Sequence, residues 1–415
     1  MAAISPTPAD FAPLAAAIRT YAQDLFHAPD GCLRHPYIDP GGPYAKSLWD
    51  WDSFWVITGL FALARREHGT VPERLRTAAA GVLDNFLLHQ GADGSLPILL
   101  MPDHPDVFGG VTDPKLNMAK PVFGQYLALL AQAGEPAERL RPRLTAIHRF
   151  HAAYQQRYRH PKTGLYLWAE DVAIGVDDDP ATWGRPPFSS ANLLLNSLLL
   201  ADLNAVAQTA RELDETDLAA TAATEAAELT AALRTYCWDE RDGFFYSVDV
   251  QCEQRRHPHR LFGELNLNLT PFWNCLPVKV MSWCGFLPLW LGIADAAQAR
   301  RLVREHLLND RQFWSPWGVR SLAADERMYR PADCRGNPSN WLGPVWIIPQ
   351  YLIWSGLRRY GFNDEAAELA RRTRRVLAAE FQRSGVMYEN YDPETGRGVA
   401  CPGFWSWNIL AAVME

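Results

Sequence analysis

Ile174-Gly175-Val176-Asp177-Asp178-Asp179-Pro180 lies midway along a polar, proline-broken connection between two long helical patterns, 136–158 and 189–209. Whether that connection is a spacer or a working loop decides how the surrounding helices are arranged. Three consecutive carboxylates cannot all be buried and ionised, because like charges that close raise each other's pKa. The plainest reading is a solvated acidic loop that caps the next helix. The flanks argue for more: Trp168 and Trp183 bracket the stretch, and Arg185 follows shortly after. A carboxylate between indole walls can keep its proton near neutral pH. Asp177 is therefore expected to be a catalytic acid.

Working outward, apolar spacing of three and four marks about twelve helices. Their approximate spans are 8–27, 51–67, 72–90, 119–133, 136–158, 189–209, 214–237, 284–293, 295–308, 343–360, 364–382 and 404–414. Strand signals are few; Phe244-Phe245-Tyr246-Ser247-Val248, after Asp242-Gly243, suggests a small hairpin. The class is all-α. Connections alternate between a few residues and roughly 20 to 45, and loops longer than ~15 residues are uncommon unless functional. Short joins make antiparallel neighbours, so every long loop falls at the same end. The simplest closure is a ring of six helix pairs, an (α/α)6 barrel, expected to occupy 1–415 as one catalytic domain. Side-by-side solenoid packing would give the same alternation, but no residue-level repeat supports it.

Composition narrows the function. A net charge of −7 argues against nucleic acid as partner. No basic segment followed by an apolar core suggests a secretory signal, and apolar stretches are interrupted by charge, so no membrane association is expected. Seven scattered cysteines without a C-x-x-C pair suit reduced thiols in a cytoplasmic protein better than disulfides or zinc. Oligomeric state is open. The outlier is tryptophan, with 16 residues, many in loops, where indoles form platforms for flat apolar sugar faces.

The long loops carry the chemistry. In the first, Trp49-Asp50-Trp51-Asp52 offers Asp50 as a helix N-cap and Asp52 as a first-turn carboxylate able to accept sugar hydroxyls. Lys120 and Gln125 are weaker candidates after the second. The fourth holds the hairpin and nothing that looks catalytic. The fifth ends in Gly343-Pro344-Val345-Trp346, with Trp346 a wall or sugar platform in the first turn of its helix. The sixth contains Tyr388-Glu389-Asn390-Tyr391-Asp392-Pro393-Glu394-Thr395-Gly396; Asp392 and Glu394 belong to a turn, and Glu389 is the best second carboxylate. His257-Pro258-His259 is a weak metal hint, and neither metal nor other cofactor is expected.

Two carboxylates from different loops at one end of a helical ring suit glycoside hydrolysis, one protonating the leaving oxygen and the other activating water or attacking the anomeric carbon. No phosphate loop or Ser/His/Asp elbow competes. Together and in order, these segments resemble glycoside hydrolase family 63 and its trehalase-like relatives, which are (α/α)6 inverting α-glycosidases. The resemblance runs from Trp49 to Trp405. It puts the general acid at Asp177, in Ile174-Gly-Val-Asp-Asp-Asp-Pro, and the base at Glu389, in Tyr388-Glu-Asn-Tyr-Asp-Pro. It also implies that the segments Trp49-Asp-Trp-Asp52, Gly343-Pro-Val-Trp346 and Phe404-Trp405 line the sugar subsite; Tyr388 beside the base and Trp168 beside the acid loop are further substrate-binding candidates. Leu342 stands where relatives commonly have Arg, and Ile174 and Asp179 replace two serines. A soluble chain of this size looks like the bacterial branch acting on mannosylglycerate or glucosylglycerate. Such a small carbohydrate substrate carries a carboxylate, for which Arg185 or Arg320 is expected. The alternatives are a trehalase-like α-glucosidase and a non-catalytic carbohydrate-binding protein.

Overall fold

In the helix Leu193–Glu212, every side chain from Leu193 to Leu200 is buried, polar Asn196 and Ser197 included. A helix apolar on all sides belongs in a protein core or a membrane. This one is long and apolar enough for either, and most of it is buried inside the protein. The computed structural model describes residues 8–109, 117–252, 257–259, 261, 263–265, 273–332, 336–337 and 339–414.

All twelve expected helical segments are present. They are α1 (Pro8–Tyr21), α2 (Asp52–His68), α3 (Glu73–Leu88), α4 (Phe123–Gln132), α5 (Ala137–Tyr158), α6 (Leu193–Glu212), α7 (Thr216–Tyr236), α8 (Leu287–Leu291), α9 (Ala296–Arg301), α10 (Ile347–Arg359), α11 (Asn363–Ser384) and a final 3-10 helix, Ser406–Val413. The even-numbered helices and the final 3-10 helix form the inner layer. Each packs on the next, and Ser406–Val413 touches both α10 and α2, which closes the ring. Odd-numbered helices lie outside, as α7 does against α6 and α11 against α10. The fold is therefore an (α/α)6 barrel. A solenoid would leave α2 and the chain's last helix apart.

Several helices start later than periodicity suggests, because the long loops claim their first residues. Ser190–Ala191 pairs with Val248–Asp249, so α6 begins only at Leu193, capped by Asn192, whose side chain accepts from Leu194 N. Val345 bridges to Tyr391, which delays α10 to Ile347 and leaves Trp346 extended before it. Ser406–Val413 is 3-10 rather than α, and α9 runs on into π-helical turns over Leu302–Leu307. Asp295 starts α9 with a capping box, receiving Gln298 N while the Gln298 side chain accepts from Asp295 N.

Short strand pairs stitch the long loops together. Leu48–Trp49 pairs with Leu99–Leu100, tying the first loop to the second, and Val248–Asp249 ties the third to the fourth. The expected hairpin forms around Asp242-Gly243, Trp238–Asp239 pairing with Phe244–Phe245. These loops are backbone-paired walls, which suits them to hold side chains at fixed positions.

Candidate active site

The acid loop is shaped by its own chemistry. Gly175 and Asp178 both take the left-handed conformation, at φ 85° and 60°. At Gly175 a Cβ would sit 2.7 Å from Trp51 Cζ2, so only glycine lets the loop lie flat on that indole. Of the three carboxylates, Asp178 is half-exposed. Asp179 is buried and accepts from Ala181 N at 3.1 Å, Thr182 Oγ1 at 3.2 Å and Asn192 Nδ2 at 2.5 Å. It pins the loop to the cap of α6. Asp177 instead lines a cavity at the long-loop end.

That cavity has a volume of about 210 Å³ and is lined from five of the six long loops. Tyr44, Trp49, Trp51 and Asp52 come from the first, Phe108 and Lys120 from the second, and Ala173, Gly175 and Asp177 from the third. Ser339, Trp341 and Trp346 come from the fifth, Glu389 from the sixth and Trp407 from the final helix. The described residues of the fourth loop do not contribute to this lining. Asp177 and Glu389, more than two hundred positions apart in the chain, thus face one cavity.

Burial dominates both carboxyls. It pushes Asp177 above the ordinary carboxylate range, against the pull of the Asn337 amide, which donates to Oδ2 at 3.1 Å, and of Lys120. It also pushes Glu389 up, against hydrogen bonds from Ser339, Cys401 and Tyr44, and the charge of Asp177 adds to the rise. Tyr44 OH donates to Glu389 Oε1 at 3.3 Å, and Ser339 Oγ donates to Oε2. The backbone of Glu389 is fixed by its N–H to Ala400 O at 2.9 Å and by Trp407 Nε1 on its carbonyl at 3.3 Å. The turn beyond it forms as expected, Asp392 Oδ1 accepting from Glu394 N and Thr395 N.

Asp52 lies in the first turn of α2 and is buried against the cavity. Burial holds its carboxyl well above the usual range; Lys120 opposes the shift, while Asp50 and Glu389 reinforce it. Asp50 is not the N-cap of α2, since the residue in that position is Trp51 and no side chain caps the helix. It instead accepts from Trp51 N at 2.8 Å, from Lys120 N at 2.6 Å and from Lys120 Nζ at 2.8 Å. The buried Lys120 ammonium, not the helix end, claims this carboxylate.

The indole walls come from elsewhere than expected. Trp183 is 54% exposed, and Trp168 is buried outside the cavity lining. Trp51 and Trp341 stand there instead. Trp341 stacks on Trp346 at 4.0 Å between centroids and 7° between planes, and Trp283 also stacks on Trp341, at 5.6 Å. Trp346, almost wholly buried, backs Trp341.

Among the sequence-selected residues, Asp177, Glu389, Trp49, Asp52, Lys120 and Trp346 line the cavity, whereas Gln125, Trp168, Arg185, Arg320, Tyr388 and Trp405 do not. Arg185 pairs with Asp249. Arg320 is buried and spent on Tyr329 OH, the Asp310 and Gln312 carbonyls and Glu394. Trp405 stacks on Tyr21 at 4.2 Å, so it is Trp407, two residues on, that reaches the site. Tyr388 packs over Gly398, where a Cβ would meet its ring at 2.1 Å. Tyr44, Trp51, Phe108, Ser339, Trp341 and Trp407 escape sequence reasoning. Of these, the tryptophans carry some signal, since they sit close in the chain to selected positions. No group of three or more His, Cys, Asp or Glu able to hold a metal occurs among the described residues, and the side chains of His257 and His259 lie outside them.

Comparison with known proteins bears on the family and the fold. Residues 44–407 match the family model described as mannosylglycerate hydrolase MGH1-like glycoside hydrolase domain. The mannosylglycerate hydrolase MGH1 of Selaginella moellendorffii is 26% identical over 89% of this chain and 80% of its own length. A probable mannosyl-oligosaccharide glucosidase of Schizosaccharomyces pombe is 32% identical, but over only 30% of this chain and 16% of its own length. Among solved structures, the GH63 mannosylglycerate hydrolase of Thermus thermophilus in complex with glucose superposes with a TM-score of 0.70, at 22% identity, over 96% of this chain and 99% of that one. The neutral trehalase Nth1 of Saccharomyces cerevisiae gives 0.62 at 17% identity over 91% of this chain and 72% of that one, a likeness of fold. The closed ring, the loop-built cavity and the match across most of the chain converge: this protein belongs to the MGH1-like glycoside hydrolases of family 63.

Proposed function

We propose that this chain is an inverting exo-α-glycosidase acting on a small α-glycoside, with Asp177 as general acid and Glu389 as general base. The observation that carries the reading is the shared cavity, in which half-buried Asp177 and buried Glu389, from different loops, are hydrogen-bonded differently. Asp177 has one amide donor, and burial favours its protonated form, which suits a group that must hand a proton to the leaving oxygen. Glu389 receives the Tyr44 and Ser339 hydroxyls and the Cys401 thiol, which oppose the rise that burial causes and so favour the charged form a base requires. For inversion the carboxyls should stand ~6.5–9.5 Å apart, with a water between.

Trp49, Trp341 and the Trp346 behind it supply apolar faces for a sugar ring, and Asp52 and Lys120 supply polar contacts to its hydroxyls. The aromatic walls and the small volume, about 210 Å³, suit one or two sugar-sized rings. Mannosylglycerate or glucosylglycerate is the favoured substrate class, supported by the family match and by the likeness to the Selaginella enzyme over most of both chains. A second reading, a neutral trehalose-like disaccharide, has one observation in its favour. Among the described residues, Lys120 is the cation on the cavity wall, and its charge is already held by Asp50, while Arg185 and Arg320 are engaged elsewhere.

The test is hydrolysis of a panel containing both glycerates, trehalose and short α-glucosides, followed by proton NMR of the first anomer released. A β-anomer from an α-glycoside supports inversion; an α-anomer removes it. Asp177→Asn and Glu389→Gln should each lower kcat by about 10²–10⁴ with folding intact, and near-native turnover in either would take that residue out of the mechanism.

A further inference from the structure

Behind the two hydroxyls that meet Glu389 lies a single thiol. Cys401 Sγ is 3.6 Å from Tyr44 OH and 4.0 Å from Ser339 Oγ. Tyr44 and Ser339 line the cavity; Cys401 does not, and its partly exposed side chain lies beside them. Each hydroxyl has one proton, and in this arrangement both protons go to Glu389. Their oxygens therefore face the sulfur as acceptors, and the single S–H is shared among these oxygens and Glu389, which the thiol also meets directly. Burial and the adjacent Glu389 carboxylate push the thiol up, which keeps that proton in place.

The backbone adds weight. Cys401 has φ 48°, in the left-handed region that residues with a Cβ enter at a cost. Glycine would fit that conformation with less strain. Flanking bonds hold it there: Glu389 N reaches Ala400 O at 2.9 Å, and Gly403 N reaches Met387 O at 2.8 Å. The loop that carries Glu389 thus returns, twelve residues later, to place a thiol under its two hydrogen-bond donors.

We propose that Cys401 is a positioning residue for Glu389, its thiol completing the donor set around that carboxylate and keeping the Tyr44 hydroxyl, its nearer neighbour, in the orientation from which it donates there. The inference rests on Glu389 being the general base. Without the thiol, Tyr44 and Ser339 are free to turn toward the cavity, and Glu389 loses donors that favour its charged form. The other charged or titratable groups around Glu389 are Asp177 from the third loop and Asp52 from α2, with Lys120 beside them. These act through charge and are left in place by a change at Cys401.

The pH dependence of kcat/KM in Cys401→Ser, Cys401→Ala and Cys401→Val tests it. Serine keeps a donor and should retain the native acid limb. Alanine and valine should move that limb to higher pH by about one unit, a tenfold loss of ionised base below it, with KM within about twofold. In a Tyr44→Phe background the same changes should add less than their separate effects. If valine does not fold, alanine carries the comparison. An unmoved acid limb in the apolar variants, with Glu389→Gln inactive, overturns the positioning role alone. A Glu389→Gln enzyme with native turnover overturns the base assignment and this proposal with it.

Discussion

The Lys120 ammonium lies 2.8 Å from Asp50 Oδ1, with both side chains buried against the acid loop. Lys120 Nζ also donates to Ala173 O at 3.2 Å and sits 5.3 Å from the centre of the Trp51 ring. One ion pair therefore ties the first, second and third loops together under the cavity. Removing one partner of a buried pair leaves a bare charge. Lys120→Met should destabilise the protein by about 3–5 kcal/mol, seen as a lower denaturant midpoint. Adding Asp50→Asn should recover part of that loss, and no recovery would show that the pair is not coupled.

Gly175 is the point on which the acid loop rests. A Cβ there would meet Trp51 at 2.7 Å and Lys120 Cε at 3.2 Å, in a conformation at φ 85° that only glycine takes without strain. Gly175→Ala should cost about 1–3 kcal/mol by overpacking and displace Asp177, lowering kcat far more than an equally destabilising change in an outer helix. A circular-dichroism melt beside steady-state kinetics separates the two effects.

Asp52 has a folded-state pKa raised well above its unfolded value, chiefly by burial. A group so shifted contributes stability below its unfolded pKa and loses it as pH rises through the folded one. Asp52→Asn should therefore raise Tm by about 1–3 °C at alkaline pH and give no gain at a pH below the ordinary carboxylate range. Activity should fall, since the amide offers sugar hydroxyls one acceptor oxygen in place of two. Equal Tm gains at both pH values would sink the electrostatic account.

Arg185 and Arg320, the expected partners of a substrate carboxylate, both lie outside the cavity lining. Arg185→Ala removes a partly exposed pair with Asp249, worth about 0–1 kcal/mol, and should leave KM for an anionic glycoside unchanged. Arg320→Ala should lower stability, because it deprives Tyr329, Glu394 and two carbonyls of a buried donor, again without a selective change in KM. A large KM rise for the glycerates but not for trehalose would reverse this.

The ring was legible because it is written in local terms. Spacing of three and four marks each helix, and connection length alone dictates which end a loop occupies. Asp177 and Glu389 were legible for a related reason: each sits in a short segment whose glycine, proline and turn residues announce a shaped loop. Tyr44, Ser339, Trp341 and Trp407 carried no such sign. A hydroxyl in a loop or an indole near a helix start reads the same whether it faces a cavity or a neighbouring helix.

What the chain alone determined is therefore the architecture, the end of the barrel where the long loops gather and the two acids to look for there. Only tertiary structure decided which aromatic of each pair faces inward, Trp407 rather than Trp405 and Trp51 in place of Trp168. It also gave Lys120 to Asp50 rather than to solvent. These choices depend on how loops distant in sequence pack against one another, which no local pattern of residues encodes.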